Sequence, residues 1–373
     1  MFEPFHEIIN NVTSTITHYE KKQGKPVIGV MPAYFPMELV EAAGGYPVQL
    51  WGNNLPLGKS DAYLQSFCCS VGRSVLELEM IGGAHMVKAY VFTSICDTLV
   101  NLKEIYSSLF PAKPSLEFSI PMTQTDEARK AYFKSTIESV IQGLEKITGG
   151  KITEESLKTA CELYGETRHL QRKLYHLRRE RPGLMKSHDF YAAIKAGFFL
   201  PKDIYNKLLS DLLDQLEESP IDNQPNHRPR IILSGMVFDP LNLHHALDDL
   251  NLLVVDDDFA NGWRTVAKPD LQTDNLIEGI TQYVFGPAPC CCLYNPDIDR
   301  HEYLLQKIKY SGAAGVLFWY IKFCEPDAFD RPQIISRLKE EGIPTGVIDV
   351  ELSMTHFDSI KTRINAFIEM IAG

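Results

Sequence analysis

The chain has 373 residues, 45% of them hydrophobic and 23% charged, and its 48 acidic against 37 basic residues give a formal charge of −11. That length is enough for two or three ordinary domains, and the negative charge argues against a nucleic-acid binder, because polyanions are gripped by clustered Lys and Arg. The longest mainly apolar run, Gly312 to Ile321, is half of the ~20 residues a membrane-spanning helix needs, and MFEPFHEIINNVTSTITHYEKK at the N-terminus carries early acids and no continuous apolar core of a signal peptide. The expectation is a soluble cytoplasmic protein with no nucleic-acid or membrane partner.

After an amphipathic N-terminal stretch, Val27 to Met31 reads as a buried strand. Pro36-Met-Glu-Leu-Val-Glu-Ala-Ala opens a helix with proline in its first turn, Gly44-Gly45 closes it, and Pro47 to Trp51 returns as a strand. Ser70 to Ile81 follows as a helix, Ala89 to Thr93 as a strand, and Thr98 to Leu109 as a helix stopped by Pro111. Such alternation implies a parallel sheet covered on both faces. Residues 127–218 read as helix throughout. Leu157, Ala160, Cys161, Tyr164, Leu174 and Leu177 share one face, Glu154 and Glu155 occupy the favoured first turn, and HLRRERPG ends that helix. Ser187 to Leu200 and Asp203 to Leu216 read as two more helices, and SPIDNQPNHRPR, residues 219–230, reads as a linker.

A second alternating unit begins at Ile231. Leu252 to Val255 is a strand running into Asp256-Asp257-Asp258, and Gly315 to Tyr320 is another. Arg331 to Glu341 is a helix closed by Gly342 and Pro344, followed by the strand Gly346 to Val350. No GxGxxG follows Ile231, so a dinucleotide site of the usual kind is unsupported. The expected fold is α/β: two Rossmann-like (flavodoxin-like) parallel-sheet units, residues 1–126 and 231–373, with a helical segment and linker, 127–230, between them.

Eight cysteines need an explanation. A large intracellular chain keeps its thiols reduced, and the absence of any CxxC pair excludes a zinc ribbon or a ferredoxin-type run. Any metal site must therefore be assembled from distant parts of the chain. YVFTSICDT (Tyr90 to Thr98) and VLFWYIKFCEP (Val316 to Pro326) both read as strand, short loop, Cys, acid, helix. Ligands of open parallel sheets bind beyond the carboxyl ends of strands, where Cys96 and Cys324 both stand. Cys69 precedes the helix near Ser70, whose positive end favours a thiolate. Three thiolates converging from two units would hold an iron–sulfur cluster with one iron open to a non-protein ligand. Burial as small apolar side chains is the alternative for any of them.

The chain resembles the small iron–sulfur subunits of the benzoyl-CoA reductase and 2-hydroxyacyl-CoA dehydratase family. The resemblance is carried by MPAYFPMELVEAAGGYPVQLWG (Met31 to Gly52), DAYLQSFCCSVGRSVLEL (Asp61 to Leu78), FTSICD (Phe92 to Asp97), VVDDDF (Val254 to Phe259) and FCEPDAFDRP with its downstream KEEGIPTGVID. It implies a [4Fe–4S] cluster on Cys69, Cys96 and Cys324, with Cys68 as the alternative to Cys69, and a non-protein fourth ligand. It also implies low-potential one-electron chemistry on an acyl-CoA, a related larger or homologous partner subunit, and a separate ATP-hydrolysing iron–sulfur activator. No P-loop occurs here, in keeping with ATP chemistry lying on a partner. DAYLQSF, SICD and VVDDDF are closer to the reductase subunits, so ring reduction of an aromatic acyl-CoA is the first expectation and dehydration of a 2-hydroxyacyl-CoA the alternative. Two further readings are a stand-alone electron-transfer protein and a non-catalytic binding protein of the same fold.

The other candidates have plainer expectations. Cys161 reads as core. Cys290-Cys291-Cys292 follows Pro287-Ala-Pro, and adjacent residues of an extended segment point to opposite faces, so the three are not expected to reach one metal. Extra or enlarged cluster ligation is their alternative. Asp256, Asp257 and Asp258 read as strand-end caps, with Mg²⁺ as the functional option. His244 and His245 point about 100° apart on a helix, which disfavours a paired role. Arg178, Arg179 and Arg181 read as a solvated face, with CoA phosphate binding as the alternative.

Overall fold

A computed structural model of the chain describes residues 1–31, 34–122, 126–220, 227–286, 288–295 and 297–372. Residues 221–226, in the middle of the expected linker, and Pro287 of the Pro287-Ala-Pro run lie outside the described residues.

Apolar runs with no polar face, such as VIGVM and GVLFWYI, are satisfied only when both faces are covered. They form Val27–Met31 (β1) and Gly315–Ile321 (β7), both inner strands and almost fully buried. Ahead of β1 lie Glu3–Asn10 (α1) and Val12–Gln23 (α2). Behind it come Glu38–Ala42 (α3), Tyr46–Gln49 (β2), Ser70–Met80 (α4), Val87–Thr93 (β3), Asp97–Leu109 (α5) and Ser115–Phe118 (β4). Four helices follow: Glu127–Thr148 (α6), Glu154–Glu180 (α7), Ser187–Ala196 (α8) and Lys202–Glu217 (α9). The second alternating region runs Arg230–Gly235 (β5), Asn242–Asp249 (α10), Leu253–Phe259 (β6), Trp263–Val266 (α11), Leu276–Phe285 (α12) and Arg300–Ser311 (α13). It continues after β7 with Glu325–Glu340 (α14), Thr345–Val350 (β8) and Asp358–Ala372 (α15).

The strands make two four-stranded, all-parallel sheets in the orders β2-β1-β3-β4 and β6-β5-β7-β8. Each is the same permutation, second-first-third-fourth. In such an order the connections leave in opposite directions between the first and third strands, which opens a crevice at their carboxyl ends. The α/β class with two parallel-sheet units is therefore as expected.

Several boundaries differ from the sequence reading. Pro36 stands ahead of α3, whose N-cap is Met37. β4 was not expected because SLEF is short and mostly half-buried. Helix α14 starts at Glu325 rather than Arg331, with Pro326 in the first turn, where a missing N–H costs nothing. The three aspartates lie inside β6, which is buried along its whole length, and are not strand-end caps.

Their charges are met from α7, which runs between the two sheets, and from α11 and α13. Toward the first sheet, Arg168 Nη1 donates to Glu38 Oε1 of α3 at 2.6 Å. Toward the second, Arg179 Nε donates to Asp256 Oδ2 at 3.0 Å, and Lys307 Nζ lies 2.9 Å from the same oxygen. Asp257 Oδ2 accepts from the Tyr175 and Tyr191 hydroxyls at 2.8 and 2.9 Å, with Arg178 Nη1 at 3.6 Å. Asp258 holds Arg264 through two bonds of 2.9 Å. Burial pushes the Asp256 and Asp258 carboxyls up, but their cationic partners outweigh it and leave both below the ordinary aspartate range. Arg178 and Arg179 are thus buried counter-ions, and Arg181 donates to the Leu216 and Ser219 carbonyls. The solvated-face reading is corrected for Arg178 and Arg179, whereas Arg181 is half-buried and meets only neutral carbonyls.

Candidate iron–sulfur site

Cys69, Cys96 and Cys324 are the N-cap residues of α4, α5 and α14. Two of those helices follow the third strand of a sheet, so the permutation itself carries Cys96 and Cys324 to corresponding crevice positions. The third reaches the same place because Gly72 lacks a side chain: a Cβ there would come 2.7 Å from Thr98 Cγ2 at the start of α5. The first turns of α4 and α5 therefore pack tightly. The Leu352 amide, just past β8, donates to Ser70 Oγ at 3.1 Å and fastens the second sheet to the start of α4.

The result is a cleft of about 500 Å³ lined by Cys68, Cys69, Cys96, Phe323, Cys324 and Glu325, among others. Phe323 has φ = 65°, a left-handed conformation that costs a bulky residue roughly 1–3 kcal/mol. It closes the turn in which the Cys324 amide donates to the Ile321 carbonyl at 3.0 Å, and so sets the thiol at the cleft. Phe67, 66% exposed, stands at the rim. A larger cavity of about 890 Å³ lies between α1, α2 and the edge of the first sheet, and no cysteine lines it.

Burial pushes the Cys96 thiol up to about 12, and the neighbouring Cys69 adds to the rise. Burial likewise raises Cys69 and Cys324, and Cys324 is raised further by Asp327, Cys69 and Cys96. The thiols feel one another across the cleft. First-turn amides of each helix pull the other way, those of Val71 and Gly72 at Cys69, of Thr98 and Leu99 at Cys96, and of Asp327 at Cys324. Such a set is costly to ionise empty and well suited to anionic sulfur bound to iron. Three soft donors at three helix N-termini fit a cluster whose negative charge needs offsetting. Cys68 also reaches the cleft but caps no helix and contacts Gln65 Oε1 at 3.8 Å.

A second thiol group contradicts the sequence expectation. The sulfurs of Cys290, Cys291 and Cys292 lie within 4.8 Å of one another. The segment is a turn and not an extended strand: Leu293 N donates to the Cys290 carbonyl at 3.1 Å, and the two residues form an antiparallel bridge. The alternation of side chains that would have separated the thiols therefore does not apply. Burial would raise Cys290, but contacts with the Cys291 and Cys292 thiols and with Arg264 outweigh it and hold its thiol well below the usual range.

The remaining candidates take plain places. Cys161 is buried on α7 among core residues. His244 is buried, with Nδ1 against Ser187 Oγ at 2.9 Å and Nε2 against the Phe238 carbonyl at 2.7 Å, and burial lowers it to about 3. His245 points away and stacks on His188 at 3.6 Å. The sequence reading missed Phe323, whose left-handed backbone has no signature in its residue type. It also missed a half-buried group of His6, His188 and Asp189, gathered from α1 and α8.

Residues 32–371 match the family model described as 2-hydroxyglutaryl-CoA dehydratase, D-component. The chain belongs to this family. It is 30% identical to the beta subunit of (R)-phenyllactyl-CoA dehydratase from Clostridium sporogenes, over 99% of this chain and 98% of that one. A benzoyl-CoA reductase subunit from Thauera aromatica is 29% identical over 87% and 85%. The beta subunit of (R)-2-hydroxyglutaryl-CoA dehydratase from Acidaminococcus fermentans is 27% identical over 100% and 99%. These relatives are subunits of enzymes, and so is this chain. Among the described residues no helix is long and apolar enough to cross a membrane.

Proposed function

We propose that the chain is the iron–sulfur subunit of a cytoplasmic, ATP-activated acyl-CoA enzyme, and that Cys69, Cys96 and Cys324 hold a [4Fe–4S] cluster whose fourth ligand is not protein. The observation that carries this is the convergence of three helix-capping cysteines, from both sheets, on one cleft. In this reading residues 1–126 and 231–373 are the two domains that supply the ligands, and 127–230 is the helical segment between them. Cys69 is preferred to Cys68 because only Cys69 stands at a helix N-terminus.

A bound cluster supplies single electrons of low potential, which an acyl thioester needs if an aromatic ring is to be reduced or an unactivated hydrogen lost. The chain's own residues contribute the electrostatics and the enclosure. Backbone amides of α4, α5 and α14 offset the negative charge of the thiolates, so that the site does not depend on mobile cations. Phe323 and Phe67 present apolar surface beside the thiols. Electrons come from a separate ATP-hydrolysing iron–sulfur activator, and a related subunit completes the enzyme, as the naming of relatives as beta subunits supports.

Reduction of an aromatic acyl-CoA is the first reading of substrate, on the wording of DAYLQSF, SICD and VVDDDF. Dehydration of a 2-hydroxyacyl-CoA is the second, favoured by a match to a dehydratase subunit along 99% of the chain. Iron and acid-labile sulfide on protein purified without oxygen, with an EPR spectrum, test the cluster. About four of each with a reducible cubane signal is the expected result, and a well-folded, iron-free chain would overturn it. Benzoyl-CoA and a 2-hydroxyacyl-CoA, offered with activator, partner subunit and ATP, then separate the two substrates.

A further inference from the structure

In both sheets the connection between the second and third strands carries cysteines: Cys68 and Cys69 between β2 and β3, and Cys290, Cys291 and Cys292 between β6 and β7. The second group is of a different kind from the cleft. Its sulfurs lie within 4.8 Å of one another, Cys291 and Cys292 at 4.0 Å. An ion in a tetrahedral thiolate site makes bonds of about 2.3 Å and so keeps its sulfurs roughly 3.8 Å apart. Small side-chain rotations close the group on a single ion.

Around it, Met236 Sδ is 3.5 Å from Cys291 Sγ, and Arg264 Nη1 is 3.5 Å from Cys290 Sγ. The Tyr34 hydroxyl is buried and faces Cys290 and Cys292. Tyr34 is 4% exposed and held at φ = 72°, a conformation that a tyrosine keeps only where its surroundings demand it. Lys268 Nζ sits 4.4 Å over the Tyr34 ring, 1% exposed, and donates to the Val284 carbonyl without a carboxylate partner among the described residues. Among the described residues the group therefore offers three thiols, a thioether and a phenol, with no imidazole or carboxylate gathered with the thiols. It also holds the buried Lys268 amine beside Cys290. Thiolate and thioether donors select soft ions.

We propose that Cys290, Cys291 and Cys292 bind one thiophilic d¹⁰ ion, zinc or monovalent copper, in a closed site separate from the Cys69–Cys96–Cys324 cleft, with Met236 or Tyr34 as the fourth donor. Three thiolates on such an ion leave net negative charge, which Lys268 and Arg264 offset. Burial of Cys290 and Cys292 leaves no open position for a substrate, so the ion is structural: it ties the β6–β7 connection to the segment after β1 through Tyr34 or to the end of β5 through Met236.

The test uses the full chain with Cys69, Cys96 and Cys324 replaced by Ser, so that the three-cysteine cleft set cannot respond. Co²⁺ is titrated in as a spectroscopic probe, then displaced by Zn²⁺ in one arm and by Cu(I) in the other. The expected result is one equivalent of Co²⁺ with a thiolate-to-metal charge-transfer band, abolished by Cys290→Ser with Cys292→Ser and bleached by the preferred ion. Absence of the band overturns the proposal. Should the triple variant misfold, alkylation rates of the unchanged chain decide instead. One equivalent of Zn²⁺ or Cu(I) slows modification of all three thiols if the site exists, and rates unmoved by either ion overturn it. Iron above four per chain that falls on replacing these cysteines also overturns it, because they would then ligate a cluster.

Discussion

The two sheets share a strand permutation and a cysteine after the third strand, and they differ in what the second strand buries. In the first sheet that strand is the short YPVQ, neutral throughout. In the second it is LVVDDDF, whose three carboxylates are taken out of water and met by arginines and a lysine from α7, α11 and α13. One fold thus tolerates two solutions at an edge strand. A neutral edge needs only apolar cover, whereas a charged one needs a dedicated helix on each face. Removing one partner of a buried pair leaves the other uncompensated, so the second solution is specific and brittle. The connections after these strands differ in the same sense. The first leads to thiols on an open cleft, the second to thiols enclosed among Arg264, Tyr34 and Met236.

The comparison can be broken most sharply at the third-strand cysteines. Cys96→Ala and Cys324→Ala should each remove essentially all iron while the chain stays folded, read by iron assay and circular dichroism. Iron surviving the loss of both would refute the equivalence of the two positions. Cys69→Ala should behave in the same way and Cys68→Ala should keep the iron, which tests whether the helix N-cap selects the ligand.

Next in size is the charged strand. Asp256→Ala strands Arg179 and Lys307 and should cost about 3–5 kcal/mol in urea unfolding, whereas Val48→Ala in β2 of the first sheet should cost about 1–3 kcal/mol. A smaller loss at Asp256 would show that the cations find other partners.

Acid should act on the same contrast. The Asp256 and Asp258 carboxyls lie below the ordinary aspartate range in the folded chain. Their contribution is complete above the unfolded value of about 3.9 and disappears as pH falls through the lower folded values. Hydrogen exchange should therefore loosen β6 before β1 as pH is taken below ~4. The smallest effect is expected at Cys161→Ala, which should keep the iron and cost about 1 kcal/mol, as a packed but chemically idle thiol.

Much of this arrangement could be read without coordinates. Local chemistry defined the strands Val27–Met31 and Gly315–Ile321, the α4 helix and the long helix α7, because apolar period and capping residues act within a few neighbours. The repeated strand-loop-Cys-acid pattern placed Cys96 and Cys324 at equivalent positions, since in a parallel sheet the end of a strand is also the mouth of the crevice. What the sequence could not decide depends on partners far away in the chain. The charge of DDD is buried only because α7 lays Arg178 and Arg179 against it from nearly eighty residues upstream, while α11 and α13 bring Arg264, Arg300 and Lys307. The three consecutive cysteines converge only because the backbone turns at Cys290–Leu293 beneath Arg264. A run of like residues reports its own composition, while its geometry and counter-ions are supplied by tertiary packing.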